Sequence, residues 1–147
     1  MKISSSAFAM NQPIPSRYSC DGEDVNPPLS LEGIPSDARS LALIVDDPDA
    51  PGRVWVHWTL WNIDPKTKDI AENSLPSGAV QGRNDFGQSR WGGPCPPGGT
   101  HHYRFRLFAL KAAPDLPAGA KEPDLAKAIQ GKILAQAELI GSYQRSK

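Results

Sequence analysis

The histidines are the side chains of this sequence with the clearest capacity for acid–base or ligand chemistry. The chain has three of them, His57, His101 and His102. Adjacent residues of a strand point to opposite faces, so His101 and His102 must separate. His101 shares its parity with Tyr103 and the apolar residues that follow, whereas His102 shares its parity with two arginines. The pattern therefore predicts that His101 and Tyr103 face inward together and that His102 lies on the surface.

His57 lies in the middle of the run VWVHWTLWNI, in which residues of both parities are apolar or aromatic. Such a run predicts a strand that is covered on both faces. Alternation puts Trp55 and His57 on one face and Trp58 on the other. His57 can therefore be a hydrogen-bonded core histidine, or it can line a pocket.

Acidic residues follow directly on the apolar run LALIV, in the sequence DDPDAP. Aspartates at such positions commonly cap turns by accepting backbone N–H bonds, and this is the expectation for Asp46. Asp47 or Asp49 can instead face a histidine, where a carboxylate holds one imidazole tautomer or favours the protonated ring. Two histidines and an aspartate can also bind zinc, but their spacing matches no local metal motif, and we predict neither a metal nor a cofactor.

A loop rich in glycine and proline, GGPCPPGG, precedes the strand of His101. Prolines fix a backbone, and glycines let a ligand approach N–H groups that can bind an anion. The alternative is a rigid loop without a ligand. Protonated histidines beside a tyrosine hydroxyl and such N–H groups would suit phosphate or carboxylate. These residues together predict a pocket for a small anion.

Composition and length narrow the classes of function. A chain of 147 residues favours a single domain, here 1–147, with one core. The sixteen basic and sixteen acidic residues cancel, which argues against general binding of nucleic acid or membrane surfaces. The sequence shows neither the apolar core of a signal peptide nor a run of about 20 apolar residues, so we expect a cytoplasmic location. In a reducing cytosol we expect Cys20 and Cys95 to be free thiols.

The remaining pattern predicts a mostly-β fold. Many Pro, Gly, Asn and Asp clusters between the apolar runs indicate turns. Pro123 suits the first turn of a helix that Gly131 ends, Ile133–Ala137 is a candidate second short helix, and Glu138–Tyr143 is an extended run. The predicted strands are Leu41–Val45, Val54–Ile63 and Tyr103–Leu110.

Three sequence boxes stand in order along the chain. They are DPDAP at Asp47–Pro51, His57 followed by Trp58, and GPCPPGGTHHY with His101 and Tyr103. Together with CDGEDVNPPL and NDFG, they resemble the phosphatidylethanolamine-binding protein family, in the bacterial and archaeal branch often called Raf-kinase-inhibitor-like or YbhB/YbcL-like. The resemblance extends over nearly the whole sequence.

The resemblance implies two antiparallel sheets with Greek-key connections, one or two short helices near the C-terminus, and a small pocket at one end. It implies that this pocket accepts phosphate-like anions, including phospholipid head groups. It also allows a cis peptide between Ala50 and Pro51. The pocket residues that it implies are Asp47, Asp49, Pro51, His57, His101 and Tyr103, with Gly93, Pro96 and Pro97 in the loop.

We therefore expect a binding protein, with a regulatory role, for phosphate, phosphoethanolamine or a carboxylate. One alternative is an inhibitor that presents rigid proline-rich loops to a protease or kinase as its protein target. Another is a hydrolase that uses the Asp/His/His/Tyr cluster for acid–base chemistry, although no activated nucleophile stands out and an enzyme is the less favoured class. Animal and plant members carry a C-terminal helical extension near the pocket. This chain ends soon after its last strand, so its pocket is expected to be more open or covered by the second subunit of a homodimer.

Overall fold

The computed structural model describes residues 1–145, so the last two residues of the predicted 1–147 domain lie outside the described part. A six-stranded sheet dominates the fold, and a three-stranded sheet accompanies it. Among the described residues, no helix has the length and apolar character needed to cross a bilayer. In chain order the elements are β1 (Lys2–Ser4), β2 (Gln12–Pro13), a 3-10 helix (Ser16–Tyr18), β3 (Leu29–Glu32), β4 (Ser40–Asp47), β5 (Trp55–Ile63), β6 (Asp69–Ile70), β7 (Val80–Gln81), β8 (His101–Leu110), α1 (Glu122–Ile129) and β9 (Ile133–Tyr143).

The strands of the large sheet lie in the order β2-β9-β8-β4-β5-β7, and those of the small sheet in the order β1-β3-β6. All pairs are antiparallel except β2 with β9. The predicted mostly-β, two-sheet fold with a helix near the C-terminus is confirmed. Of the two helices considered, the structure has the one that begins with Pro123 in its first turn.

Both faces of the large sheet are buried at its centre. One face of β4, with Leu41, Leu43 and Val45, joins the main core, which also contains residues of the small sheet. The other face, with Ala42 and Ile44, joins a second cluster in which α1 contributes apolar side chains. β4 is buried along its whole length, which explains the uninterrupted apolar sequence LALIV.

The prediction of a second helix at Ile133–Ala137 is wrong, because these residues begin β9. They pair with the far end of β8, in the register Leu107↔Ala137 and Leu110↔Ile133. The helical preference of alanine and leucine is weak compared with the ladder of hydrogen bonds to an adjacent long strand, which one register shift between Ala109 and Leu110 interrupts. The extended run predicted for Glu138–Tyr143 is the second half of the same strand.

A register shift interrupts the pairing of β4 with β5 at His57. Val45 lies opposite Trp58 and Asp46 lies opposite Val56, so that His57 is one extra residue on β5. Such a bulge puts neighbouring side chains of the longer strand on the same side of a sheet. Strict alternation therefore fails at this point. Trp55 pairs with Asp47 and Trp58 pairs with Val45, so the two tryptophans lie on the same face of the sheet.

Two further expectations are corrected by the structure. Cys20 and Cys95 form a disulfide, with their Cα atoms 5.4 Å apart, and are not free thiols. The pairing was invisible in the sequence because 75 positions separate the two residues and only the fold brings them together. The peptide between Ala50 and Pro51 is trans, since the described residues contain no cis peptide bond.

Candidate functional site

A cavity of about 300 Å³ opens where β4 ends, β5 begins and β8 begins. Its size is at the lower end of the range for small-molecule sites. Seven of the nine site residues implied by the sequence line it: Asp47, Pro51, His57, Pro96, Pro97, His101 and Tyr103. The other lining residues are Ala50, Trp55, Phe86 and Cys95.

His101 and Asp47 form a hydrogen-bonded pair in the cavity wall. Nδ1 of His101 lies 2.6 Å from Oδ2 of Asp47, and both side chains are buried. The second carboxylate oxygen accepts the backbone N–H of Asp49 at 2.8 Å. Because the carboxylate is an acceptor, Nδ1 of His101 must carry a proton, and Nε2 is the ring nitrogen left for a ligand.

His57 is oriented in the same way by a different partner. Its Nδ1 lies 2.6 Å from the carbonyl oxygen of Gly92, so this nitrogen also carries a proton and Nε2 is left. The ring is buried, and burial lowers the pKa of His57, opposed by the Gly92 carbonyl and the charge of Asp47. The free cavity therefore holds a neutral imidazole at this position near pH 7, with a lone pair on Nε2.

Tyr103 lies against His57, with the two rings in an edge-on arrangement and their centroids 5.1 Å apart. The tyrosine is 1% exposed, and within residues 1–145 its hydroxyl has no hydrogen-bond partner. Burial and the charges of Asp47 and Asp49 raise the pKa of Tyr103 well above its usual range. The cavity wall thus includes a tyrosine whose buried O–H donor no described protein group uses.

A tight turn places Phe86 beside the cavity. The Asn84 side chain accepts the backbone N–H groups of Phe86 and Gln88, each at 3.0 Å, and thereby closes the turn. The Phe86 ring then lies edge-on to His57 and to Trp55, at 5.4 and 5.6 Å between centroids. The turn explains the NDFG sequence and gives the cavity an apolar side.

Asp49 and Gly93 are the two predicted site residues that do not line the cavity. Asp49 turns to His102, with Oδ2 at 2.7 Å from the ring Nδ1 and 2.8 Å from the backbone nitrogen. The hydrogen bond from His102 lowers the pKa of Asp49, although burial opposes the shift. Gly93 donates its N–H to the Asp24 carboxylate at 2.7 Å, so this amide is used within the protein.

His102 is exposed and His101 is buried, as the parity of the strand predicted. Trp55 and Phe86 were not singled out from the sequence as site residues. Trp55 could have been predicted, because it has the same strand parity as His57. Trp55 precedes the bulge and His57 is the bulged residue, so the alternation between the two is not broken. Phe86 could be found only from the turn that folds it back over β5.

No cluster of three or more His, Cys, Asp or Glu arranged to hold a metal ion occurs among residues 1–145.

Comparisons with known proteins agree on one family. A family model described as phosphatidylethanolamine-binding protein matches residues 4–144. A UPF0098 protein of Methanothermobacter thermautotrophicus is 50% identical, with 99% of each chain covered, and one of Chlamydia muridarum is 43% identical with the same coverage.

Solved structures give the same result. The homologue CT736 of Chlamydia trachomatis superposes with a TM-score of 0.94 at 39% identity, covering 99% of this chain and 97% of the other. YbcL of Escherichia coli, described as a new member of the mammalian PEBP (phosphatidylethanolamine-binding protein) family, superposes with a TM-score of 0.92 at 32% identity, covering 99% of this chain and 98% of the other. The chain belongs to the phosphatidylethanolamine-binding protein family.

Proposed function

We propose that the cavity binds a small phosphate-bearing anion, either inorganic phosphate or the phosphate of a head group such as phosphoethanolamine. The observation that carries the proposal is Tyr103, whose ring lies edge-on to His57 and whose buried hydroxyl has no partner among residues 1–145. A buried donor without an acceptor costs free energy, and an anionic oxygen would supply the acceptor. The family model's description, phosphatidylethanolamine-binding, is consistent with a ligand of this class.

The protonation of the site favours phosphate over a carboxylate. His57 is neutral in the free cavity and offers an acceptor at Nε2, while Tyr103 offers a donor. A phosphate monoanion carries both a P–O–H donor and P–O⁻ acceptors, so it matches both groups. A carboxylate anion has acceptors only and would require a proton from solution.

Two groups that could act as nucleophiles in the cavity, Cys95 and Tyr103, are held in unreactive forms. The sulfur of Cys95 is part of the disulfide. Burial raises the pKa of Tyr103, so its phenolate form is suppressed. These two observations argue against covalent catalysis by either of these groups.

Calorimetric titration tests the proposal directly. Inorganic phosphate, phosphoethanolamine and acetate would be titrated into the wild-type chain, and vesicles containing phosphatidylethanolamine would be tested by flotation. We expect heat from both phosphate compounds and weaker binding of acetate. Binding of vesicles without binding of either small compound would identify the membrane, and not the head group, as the target.

A pair of neighbouring histidines provides the matched variants. His101→Gln removes a ring that lines the cavity and should weaken phosphate binding by about tenfold or more. His102→Gln changes an exposed ring on the opposite face and should leave the affinity within about twofold. Absence of heat at millimolar phosphate, or equal affinity in the two variants, would refute the proposal.

The pH dependence separates the contribution of His57 from that of the ligand. Sulfate brings no proton, so its binding requires protonation of an imidazole whose pKa is lowered by burial. We expect the affinity for sulfate to rise as the pH falls from 8 to 5, by up to about tenfold per pH unit. Phosphate should depend less on pH over the range in which its monoanion is present.

A further inference from the structure

The disulfide lies in the wall of the cavity. Cys95 is itself a lining residue, and Pro96 and Pro97, which follow it, line the same side. Cys20 comes just after the 3-10 helix, 75 positions away. The covalent bond therefore ties one wall of the site to a distant part of the chain.

The segment before Cys95 has other attachments. The Gly93 amide donates to the carboxylate of Asp24 at 2.7 Å. The Cys20 amide donates to the carbonyl of Pro94 at 3.1 Å. These bonds do not depend on the disulfide, and they hold the backbone up to Pro94 in place when it is broken.

The segment after Cys95 has fewer hydrogen bonds to hold it, although Pro96 is buried. Prolines 96 and 97 lack an N–H group, and Gly98 and Gly99 are exposed. Within residues 1–145, the next hydrogen bond along the chain is that of the Thr100 hydroxyl to Gln144, at 3.1 Å. Among residues 1–145, the disulfide at Cys95 is therefore the last covalent or hydrogen-bonded attachment of the wall before Thr100, and both half-cystines are partly exposed to solvent.

We propose that the Cys20–Cys95 disulfide is a redox-sensitive modification site that controls the position of the cavity wall 95–100, and thereby the affinity of the site. The affinity part rests on the proposed function. In the oxidised form the wall is fixed and the cavity is complete. In the reduced form the wall is free to leave the site, and the apparent affinity falls in proportion to the population that remains in place.

The reaction is an ordinary thiol–disulfide exchange with a dithiol reductant. A thiolate of the reductant attacks one cysteine sulfur, the S–S bond breaks, and the other cysteine leaves as a thiolate. The second thiol of the reductant then attacks the mixed disulfide, and the reductant departs as an intramolecular disulfide. The protein gains two electrons and two protons, and the reductant loses both.

Two measurements on the oxidised and reduced chain test the proposal. Dithiothreitol is a suitable reductant because it is uncharged and does not compete for an anion site. Nuclear magnetic resonance order parameters of the Gly98, Gly99 and Thr100 amides should fall on reduction, while those of the β4 amides should not. The dissociation constant for inorganic phosphate should rise by about tenfold or more.

Variants separate loss of the bond from loss of the sulfur. Cys20→Ser keeps the Cys95 thiol in the wall and should behave like the reduced wild type, whatever the redox conditions. Unchanged order parameters on reduction would overturn the proposal, and so would lower order parameters with unchanged phosphate affinity. Lower order parameters in a chain that binds no phosphate in either state would support control of the wall and refute the proposed ligand.

Discussion

The hydroxyl of Tyr103 allows a test in which stability and affinity change independently. Tyr103→Phe removes one oxygen atom from a side chain that is 1% exposed and whose hydroxyl has no partner within residues 1–145. No intramolecular hydrogen bond is lost, so the free energy of unfolding should stay the same or increase by up to about 1 kcal/mol. The same hydroxyl is proposed to donate to an anion. A hydrogen bond to a charged group contributes about 1.5–3 kcal/mol, so phosphate affinity should fall by roughly 10- to 100-fold.

Tyr143→Phe is the matched control for this change. The Tyr143 hydroxyl donates to Asp21 at 2.6 Å and accepts from Ser19 at 2.9 Å, and this residue does not line the cavity. Its removal should lower the free energy of unfolding by about 1–2 kcal/mol and leave phosphate binding unchanged. Urea denaturation followed by tryptophan fluorescence, and calorimetry with phosphate, give the two quantities. If Tyr103→Phe destabilised the chain as much as Tyr143→Phe and bound phosphate normally, the hydroxyl would have a structural role and the reasoning would fail.

Three further predictions concern stability. Burial lowers the pKa of His57 in the folded chain. Between pH 7 and 5 the unfolded chain therefore takes up a proton that the folded chain does not. The free energy of unfolding should fall over this range by up to about 1.4 kcal/mol per pH unit. His57→Asn, which keeps a donor for the Gly92 carbonyl, should show a smaller slope in urea denaturation at pH 7, 6 and 5; an equal slope would assign the effect elsewhere. A Cβ atom at position 93 would overlap the Tyr18 carbonyl and the Asp24 carboxylate, so Gly93→Ala should lower the melting temperature and cost about 2 kcal/mol or more, whereas Gly98→Ala, with open space around it, should change little. The disulfide closes a loop of 75 positions, so Cys20→Ser/Cys95→Ser should lower the free energy of unfolding by about 4 kcal/mol, and a loss below about 1 kcal/mol in urea denaturation would show that the unfolded chain is already constrained.

Strand parity alone gave much of the site. The alternation in β8 separated the buried His101 and Tyr103 from the exposed His102, because a strand with one covered face leaves a period of two in its sequence. The same rule would have separated the two acids at the end of β4. Asp47 follows Val45 onto the core face, whereas Asp46 lies on the other face and binds the guanidinium groups of two arginines of β8.

Other features depend on contacts that leave no local pattern. Asp49 was expected near the cavity, and it bonds to His102 because the turn after β4 carries it to the outer face of β8. Asp46 was expected to cap a turn, and it forms an ion pair with Arg104 at 2.7 Å. The disulfide and the strand at Ile133 required the positions of distant residues, which no spacing in the sequence encodes.

The extra residue in β5 has a consequence for how such a site can arise and be lost in evolution. Val45 pairs with Trp58 and Asp46 pairs with Val56, so a chain without the intervening residue could pair the two strands in continuous register from Leu43 to Asp47. Deletion of a single codon would then leave the core contacts of both flanks in place and remove the imidazole that lies against Tyr103. The contribution of His57 to the site is thus separable from the architecture of the fold by one insertion or deletion, and descendants that have lost His57 can be sought among sequences one residue shorter in this strand.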